Sequence, residues 1–432
     1  MTPVSWSCMT PVTYWAIVES MTSRCQAERL AIAVSGEAGS GKSTLARHVA
    51  EELALPMLDL DTLTVPLLDQ LRETVFENHW LAPPHDGVVR TARYAALYAT
   101  AAEVVATAGG AVLVAPFTAE LAGGSAWADL VRAVSPVELE MIYLRGDPEL
   151  FARRRAHRGQ ARDAHRTDTG RPVPPAVQHV PIDAELTPAQ QGFRVLRALG
   201  RRNEIDPGST VLGRNFDAVL CDLDGVLADS TASVLRCWGR FAEELGISAA
   251  AVESNHGRPA RALVERLLAP DRVAAALQRI EDIEVADATG VEPVPGAREF
   301  VAGLPAQRRA VVTSGTRRIA AARLSAVRID VPAVLVTADD VRRGKPDPEP
   351  YLCAAARLDV DPARCLVVED APAGVAAARA AGCSVIGVLG TVEPDALAAA
   401  DLIVDGLDRI QITSTSAGLH LSPAEPRTQP SR

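Results

Sequence analysis

Short, almost wholly apolar runs recur along the chain, and several end abruptly in glycine or in carboxylates. Leu30–Val34, Leu55–Leu60, Ala111–Ala115, Leu139–Leu144 and His179–Ile182 are such runs in the first half, and Ala218–Cys221, Ala310–Val312 and Leu366–Val368 in the second. Runs of this length bounded by turn residues fit strands buried on both faces of a parallel sheet. Between them the apolar spacing turns helical, as at Leu45, Val49 and Leu53 and again over Ser230–Leu245. Thr187–Leu199 reads as a further helix, with Thr187 as N-cap and Pro188 at its first position. Strand and helix patterns in alternation predict an α/β fold. A polar, turn-rich stretch at 201–215 reads as a linker between two domains. The expected plan is a disordered leader at 1–27, a first domain at 28–200 closed by the Thr187 helix, a second at 216–421, and a disordered tail at 422–432. Helical pattern fills 230–294 inside the second domain, and Ile410–Leu421 reads as a final hairpin.

Composition narrows the class. The chain has 432 residues, 48% hydrophobic and 23% charged, as in globular proteins, and no apolar run long enough to span a membrane. The leader lacks a basic segment ahead of an apolar core, so a secretory signal is not expected, and Met21 is an alternative start. A net charge of −10 speaks against a large nucleic-acid footprint. Seven cysteines without a Cys-x-x-Cys pair read as reduced thiols of a cytoplasmic protein. Lys and Arg total 44, yet lysine occurs only at Lys42 and Lys345. A composition that prefers Arg almost everywhere marks those two positions as places where a compact ammonium is needed.

The apolar run Ala218–Cys221 ends in Asp222-Leu-Asp224-Gly225. Ligands of open α/β sheets bind beyond the carboxyl ends of strands, and alternation places Asp222 and Asp224 on one side. Like charges so close imply a neutralising cation or different acid–base roles. Two more strand ends carry chemistry, and a turn between them does too: Thr313-Ser314-Gly315 follows Ala310–Val312, Glu369-Asp370 follows Leu366–Val368, and Lys345 lies between them in a proline-stiffened Gly-Lys-Pro turn. Hydroxyls and N–H groups at Thr313–Gly315 can cradle a phosphoryl oxygen, and the four acids can form an oxygen-only Mg²⁺ site.

In content and order these motifs resemble the haloacid dehalogenase (HAD) superfamily, over about 216–421. The resemblance implies a Rossmann-like domain in which Asp222 takes a phosphoryl group as an aspartyl-phosphate. Asp224 then serves as general acid and base, Lys345 and Thr313–Gly315 bind the phosphoryl group, and Asp222, Asp224, Glu369 and Asp370 hold Mg²⁺. The insert at 230–294 sits where such enzymes carry a helical cap, and His256-Gly257-Arg258 resembles the substrate-facing cap loop of sugar phosphatases. Glu-Asp-Ala-Pro-Ala-Gly and Arg-Arg-Gly-Lys-Pro-Asp-Pro look most like the sugar- and glycerol-phosphatase branch.

In the first half, Leu30–Val34 leads into Gly36-Glu-Ala-Gly39-Ser40-Gly41-Lys42-Ser43-Thr44 and then a helix. This spacing lets backbone N–H groups surround phosphates, Lys42 reach the β/γ-phosphates and Ser43 ligate Mg²⁺. The segment resembles the P-loop NTPases. Asp59-Leu-Asp61 closes the next strand, as in small-molecule kinases where such acids hold Mg²⁺ or the substrate hydroxyl. Arg154 and Arg158 resemble the arginines of a kinase lid. The combined expectation is a phosphatase of small phosphorylated metabolites fused to an ATP-binding, kinase-like domain. A polynucleotide kinase–phosphatase, or a P-loop domain that only senses nucleotide, are the alternatives.

Overall fold

The computed structural model describes residues 29–76, 80, 85–158, 174–201, 205–247 and 260–424. The leader, the cap-loop residues His256, Gly257 and Arg258, and the tail beyond residue 424 lie outside the described residues. The chain divides into two compact units, Met1–Ala184 and Glu185–Arg432.

The first unit is built on a five-stranded sheet in the order β2-β3-β1-β4-β5. Its strands are β1 (Leu30–Gly36), β2 (Met57–Asp59), β3 (Ala111–Val114), β4 (Glu138–Arg145) and β5 (Val180–Asp183), paired in parallel throughout. All four residues of β3 are buried, as expected where helices cover both faces. The chain leaves β1 at the centre of the sheet and enters the helix Lys42–Glu52. The loop between them is therefore at the carboxyl edge, where an α/β sheet binds ligands.

The second unit carries a six-stranded sheet in the order β11-β10-β7-β12-β13-β14. The strands are β7 (Ala218–Cys221), β10 (Arg309–Val312), β11 (Val334–Val336), β12 (Cys365–Glu369), β13 (Ser384–Val388) and β14 (Leu402–Val404), again all parallel. Alternate residues feed two separate cores. Val219 and Cys221, Leu366 and Val368 face one; Ala218 and Leu220, Cys365 and Val367 face the other. Burying each large aliphatic side chain contributes about 1.5–3 kcal/mol, which fixes the register of these runs. β10 and β12 flank β7, so the three strand ends that bear the acids, the hydroxyls and Glu369-Asp370 are neighbours.

The insert at 230–294 carries three α-helices among its described residues: Thr231–Leu245, Ala260–Leu267 and Pro270–Asp287. They share a core of their own around Phe241, Val264, Ile280 and Ile283. The chain enters and leaves this cap through a two-residue antiparallel ladder, β8 (Ala228–Asp229) with β9 (Glu292–Pro293). The final hairpin is present as β15 (Ile410–Thr415) and β16 (Gly418–Pro423), to which β6 (Asn215–Phe216) is added. Ser422 and Pro423 thus belong to a strand rather than to the tail, because β16 runs on to pair Pro423 with Ile410.

The boundary between the units differs from the one read in the sequence. The helix Pro188–Ala198 does have its Thr187 cap, completed by Gln190 as a capping box, but it packs in the second unit. Phe193 lies against the core on one face of the six-stranded sheet, Arg197 pairs with Asp408 at 2.7 Å, and Gln190 Nε2 donates to the Thr391 carbonyl at 2.7 Å. The stretch 205–215 is likewise tied down: Val211 is fully buried, and Ser209 Oγ donates to the Asp401 carbonyl at 2.7 Å.

These contacts predict where the chain can be cut. A fragment beginning at Glu185 should fold. One beginning at Arg201, which lacks Phe193, Arg194 and Arg197, should melt lower by about 5 °C or more by calorimetry. Equal melting temperatures would show that the helix adds nothing to the unit.

Candidate active site

The centre of the second unit's site is a buried ammonium. Lys345 Nζ donates to Asp222 Oδ1 at 2.6 Å, to Glu369 Oε1 at 2.6 Å and to the Val312 carbonyl at 3.0 Å. These use its three N–H bonds, and the stem passes the Tyr351 ring with Nζ 5.1 Å from the centroid. Burial alone pulls the ammonium down, but Asp222 and Glu369 outweigh it and hold Lys345 above its ordinary value. It therefore stays charged, with its three N–H bonds taken by protein acceptors.

Asp222, Glu369 and Asp370 each present an oxygen within 4.8 Å of the others, all three buried. Burial raises the Asp222 carboxyl, the charges of Glu369 and Asp224 add to that, and Lys345 opposes it. Asp370 is raised for the same reasons, burial first and then Glu369 and Asp222. Against Lys345 the trio leaves two uncompensated negative charges, and its donors are all oxygen. That is the charge and chemistry of a Mg²⁺ site, so the residues fit the ion.

The trio is not uniform. Glu369 Oε1 accepts from Lys345 and from Tyr351 Oη at 2.8 Å, while Oε2 accepts from the N–H groups of Asp370 and Ala371 at 2.9 and 3.1 Å. Both oxygens are occupied, which makes Glu369 the anchor of Lys345. Asp222 and Asp370 have the oxygens better placed to face a cation. Asp370 Oδ2 takes a hydrogen bond from Thr391 Oγ1 at 2.5 Å. Gly225 is required beside it: its φ is +77°, and a Cβ there would lie 1.9 Å from Asp370 Oδ2.

Asp224 stands on the other side of the turn. Its Oδ1 accepts from Ser230 Oγ at 2.5 Å and from Arg323 Nη1 at 2.6 Å; its Oδ2 has Thr313 Oγ1 at 3.5 Å. Arg323 is 3% exposed and also donates to Glu284 of the cap helix Pro270–Asp287 at 2.9 Å. Ser314 and Gly315 continue from Thr313 at the end of β10, with the Gly315 N–H donating to Thr313 Oγ1 at 3.0 Å. Sequence reasoning missed Arg323 and Glu284. Ile319, Ala320, Arg323 and Leu324 share the buried face of one helix, so an arginine on an apolar face was the available signal.

In the first unit, Gly36, Gly39 and Gly41 all have positive φ, and the loop closes with Lys42 Nζ donating to the Glu37 carbonyl at 2.7 Å. At Gly39, φ is +90° and a Cβ would sit 2.5 Å from the Phe151 carbonyl, so only glycine fits under the helix Pro148–Arg158. Ser40 Oγ is buried with no protein partner, a polar atom left for a ligand of this loop. Ser43 Oγ donates to Asp59 Oδ2 at 2.7 Å, while Asp59 Oδ1 caps the helix Leu60–Val75 through the N–H groups of Asp61 and Thr62. The hydroxyl that follows Lys42 and the acid at the end of β2 thus face one another, and Thr44 lies in the first turn of the helix Lys42–Glu52. Asp61 is paired with Arg93, whose guanidinium lies 5.0 Å from the centroid of Trp80. Of the arginines after β4, Arg155 reaches the loop, donating to the Ala38 carbonyl at 2.9 Å, and Arg154 is exposed. Nothing is described of the Arg158 side chain. No helix among the described residues is long and apolar enough to cross a membrane, and Cys221, Cys237, Cys353, Cys365 and Cys383 are free thiols.

Known proteins divide the chain in the same way. The haloacid dehalogenase-like hydrolase family model matches residues 216–382, and an AAA domain model matches 32–171. The chain is 38% identical over 208 residues to hexitol phosphatase A of Escherichia coli K12, covering 46% of this chain and 95% of that protein. It is 36% identical over 210 residues to validoxylamine A 7'-phosphate phosphatase of Streptomyces hygroscopicus subsp. limoneus, covering 45% and 96%. With glycerol-1-phosphate phosphohydrolase 1 of Saccharomyces cerevisiae it shares 32% identity over 222 residues, covering 48% and 88%.

The buried Asp224–Arg323–Glu284 arrangement carries a stability prediction. Arg323→Met strands two carboxylates and should cost about 3 kcal/mol or more in urea unfolding. The double variant Arg323→Met/Glu284→Leu should recover part of that loss. A double variant no more stable than the single one would mean that Glu284 is not sensing the guanidinium.

Proposed function

Because the chain belongs to the haloacid dehalogenase-like hydrolase family through its second unit, we propose that this unit is a Mg²⁺-dependent phosphatase of sugar or polyol phosphates. The observation that carries the reading is the Lys345 ammonium bridging Asp222 and Glu369 at the carboxyl end of β7, beside Asp370. Asp222 and Asp370, with the Asp224 backbone carbonyl, would hold the ion. When bound, it neutralises the acids and draws charge from the phosphoryl oxygens.

Asp222 is the nucleophile. Lys345 fixes its Oδ1 and leaves Oδ2 to attack phosphorus in line, forming an aspartyl-phosphate as the ester oxygen departs. Asp224 gives that oxygen its proton, and then takes one from the water that cleaves the intermediate. Ser230 and Arg323 hold Asp224 Oδ1, so the transferred proton belongs on Oδ2, on the side of Thr313. Thr313, Ser314 and Gly315 line the phosphoryl oxygens. The relatives support the substrate class, since their names specify hexitol, validoxylamine and glycerol phosphates, all polyhydroxylated alcohols. The cap supplies the closed, water-poor setting that such small esters need.

For the first unit we propose ATP binding and phosphorylation of a small molecule in the cytoplasm. Gly36–Thr44 would cradle the phosphates, and Ser43 with Asp59 would hold Mg²⁺. Arg155 stiffens the loop through Ala38.

Asp222→Asn keeps the side chain's shape and removes the nucleophile, so turnover of polyol phosphates should fall at least about 10³-fold. A panel of hexitol, glycerol and sugar phosphates assayed beside 3′-phosphorylated oligonucleotides tests the class. Faster release from the oligonucleotides would replace this reading with nucleic-acid end repair.

The two lysines separate the two activities. Lys345→Arg must fit a planar fork among Asp222, Glu369 and the Val312 carbonyl, and should cost the phosphatase about 10²-fold or more. Lys42→Arg should weaken ATP binding and leave ATP-free phosphatase turnover unchanged. Calorimetric ATP titrations and phosphate release on both variants check this; an ATP-free phosphatase defect in Lys42→Arg would contradict it.

A further inference from the structure

The helix Pro188–Ala198 lies outside the residues matched by either family model, yet its side chains end beside the phosphatase site. Gln190 Nε2 donates to the Thr391 carbonyl at 2.7 Å, and Arg194 Nη1 donates to the Gly390 carbonyl at 3.1 Å. Gly390 has φ +131°, and a Cβ on it would come within 3.3 Å of the Phe193 ring, so the turn is clamped from above as well. Thr391 is the residue whose hydroxyl, 2.5 Å away, orients Asp370.

The same arginine reaches the hinge of the cap. Arg194 Nε and Nη2 donate to Asp229 Oδ2 and Oδ1 at 3.2 and 2.5 Å, and the guanidinium side chain is 18% exposed. Asp229 belongs to β8, where the chain enters the cap, and its neighbour Ser230 holds Asp224. One guanidinium therefore ties the turn that aims Asp370 to the strand that leads into Asp224's partner.

We propose that this helix is a positioning element of the phosphatase, with Gln190 and Arg194 setting the Gly390–Thr391 turn so that Thr391 presents Asp370 to a divalent cation. The proposal rests on the Mg²⁺-dependent reading of the second unit. Its physical basis is the geometry of a carboxylate that must keep one oxygen toward the ion. Thr391 holds Oδ2, the helix holds the Thr391 carbonyl, and a rotation of either lets Asp370 swing. Partners at this distance from a metal ligand typically change affinity 10–100-fold when removed, by the usual order of magnitude of about 1.4 kcal/mol per factor of ten.

The test uses the full chain and Mg²⁺ as the probe, without substrate. Thr391→Val removes the hydroxyl and keeps the volume; Arg194→Ala removes the clamp. Each should raise the calorimetric Mg²⁺ dissociation constant about tenfold and shrink the rise in melting temperature that Mg²⁺ produces. Arg197→Ala frees the same helix from Asp408, away from the turn. It should lower the melting temperature of the metal-free protein and leave the Mg²⁺ dissociation constant unchanged. An unchanged constant in Thr391→Val and Arg194→Ala would overturn the proposal. So would an equal rise in Arg197→Ala, which would make the effect a general loosening of the helix. If the unmodified protein binds no Mg²⁺, the phosphatase reading fails first, and the proposal with it.

Discussion

The second unit is arranged around one buried charge. Lys345 is 5% exposed and lies between Asp222 and Glu369, themselves buried. An ammonium cannot be taken out of water without counter-charges, nor carboxylates without a cation. The parallel sheet solves both at once by ending three neighbouring strands at the same edge, so that acids from β7 and β12 and a carbonyl from β10 meet around one stem. The acids outnumber the ammonium, and that excess gives the ion pair the charge and the oxygen donors that a dication needs. A guanidinium would have to present a wide planar fork where three acceptors surround a point, which accounts for lysine in a chain otherwise supplied with arginine.

The parts of this arrangement legible in the sequence are those whose meaning is local. An apolar run followed by Asp-x-Asp-Gly, or by Glu-Asp, announces a strand end with chemistry on it, and β1, β7, β10 and β12 are where the pattern put them. The Gly-x-x-x-x-Gly-Lys-Ser spacing is equally local. The contacts that orient the acids are not. Arg323 reaches Asp224 across 99 residues of sequence and Glu284 across 39, and Arg155 reaches Ala38 across 117. No spacing rule encodes such pairs; they depend on which helix face the tertiary fold turns inward. The strands β11, β13 and β14 also escaped, since runs as short as Val334–Val336 do not stand out in so apolar a chain.

The helix Pro188–Ala198 shows the same limit from another side. Its start was readable to the residue, because Thr187 and Pro188 are local signals. Its allegiance was not. An amphipathic face says that something is covered, and the buried set Gln191, Gly192 and Val195 says nothing of which sheet it covers. The polar stretch at 201–215 looked like a boundary for the same reason, yet Ile205, Val211 and Leu212 bind residues 205–215 to a core of the second unit. Turn-rich composition marks where a chain bends, and burial decides where a domain begins.

Where cap and core meet, the contacts divide by solvent exposure. Arg318 pairs with Glu281 and Asp282 of the cap helix, but its side chain is 54% exposed, and pairs so open to solvent contribute little. Thr316 adds a hydrogen bond to Glu281. Arg323 with Glu284 is the buried exception, with side chains 3% and 9% exposed. Burial raises the Glu284 carboxyl while Arg323 pulls it back, so separating the two would leave each charge in a poor environment. The strand ladder at the hinge is only two residues long and offers little resistance of its own. Among the described residues, the buried charge contact of Glu284 with the core is made by a single guanidinium, and that guanidinium also donates to Asp224. Cap position and the setting of Asp224 are thus joined through one side chain, so that a cap displaced from Arg323 withdraws a partner from the charge network around Asp224.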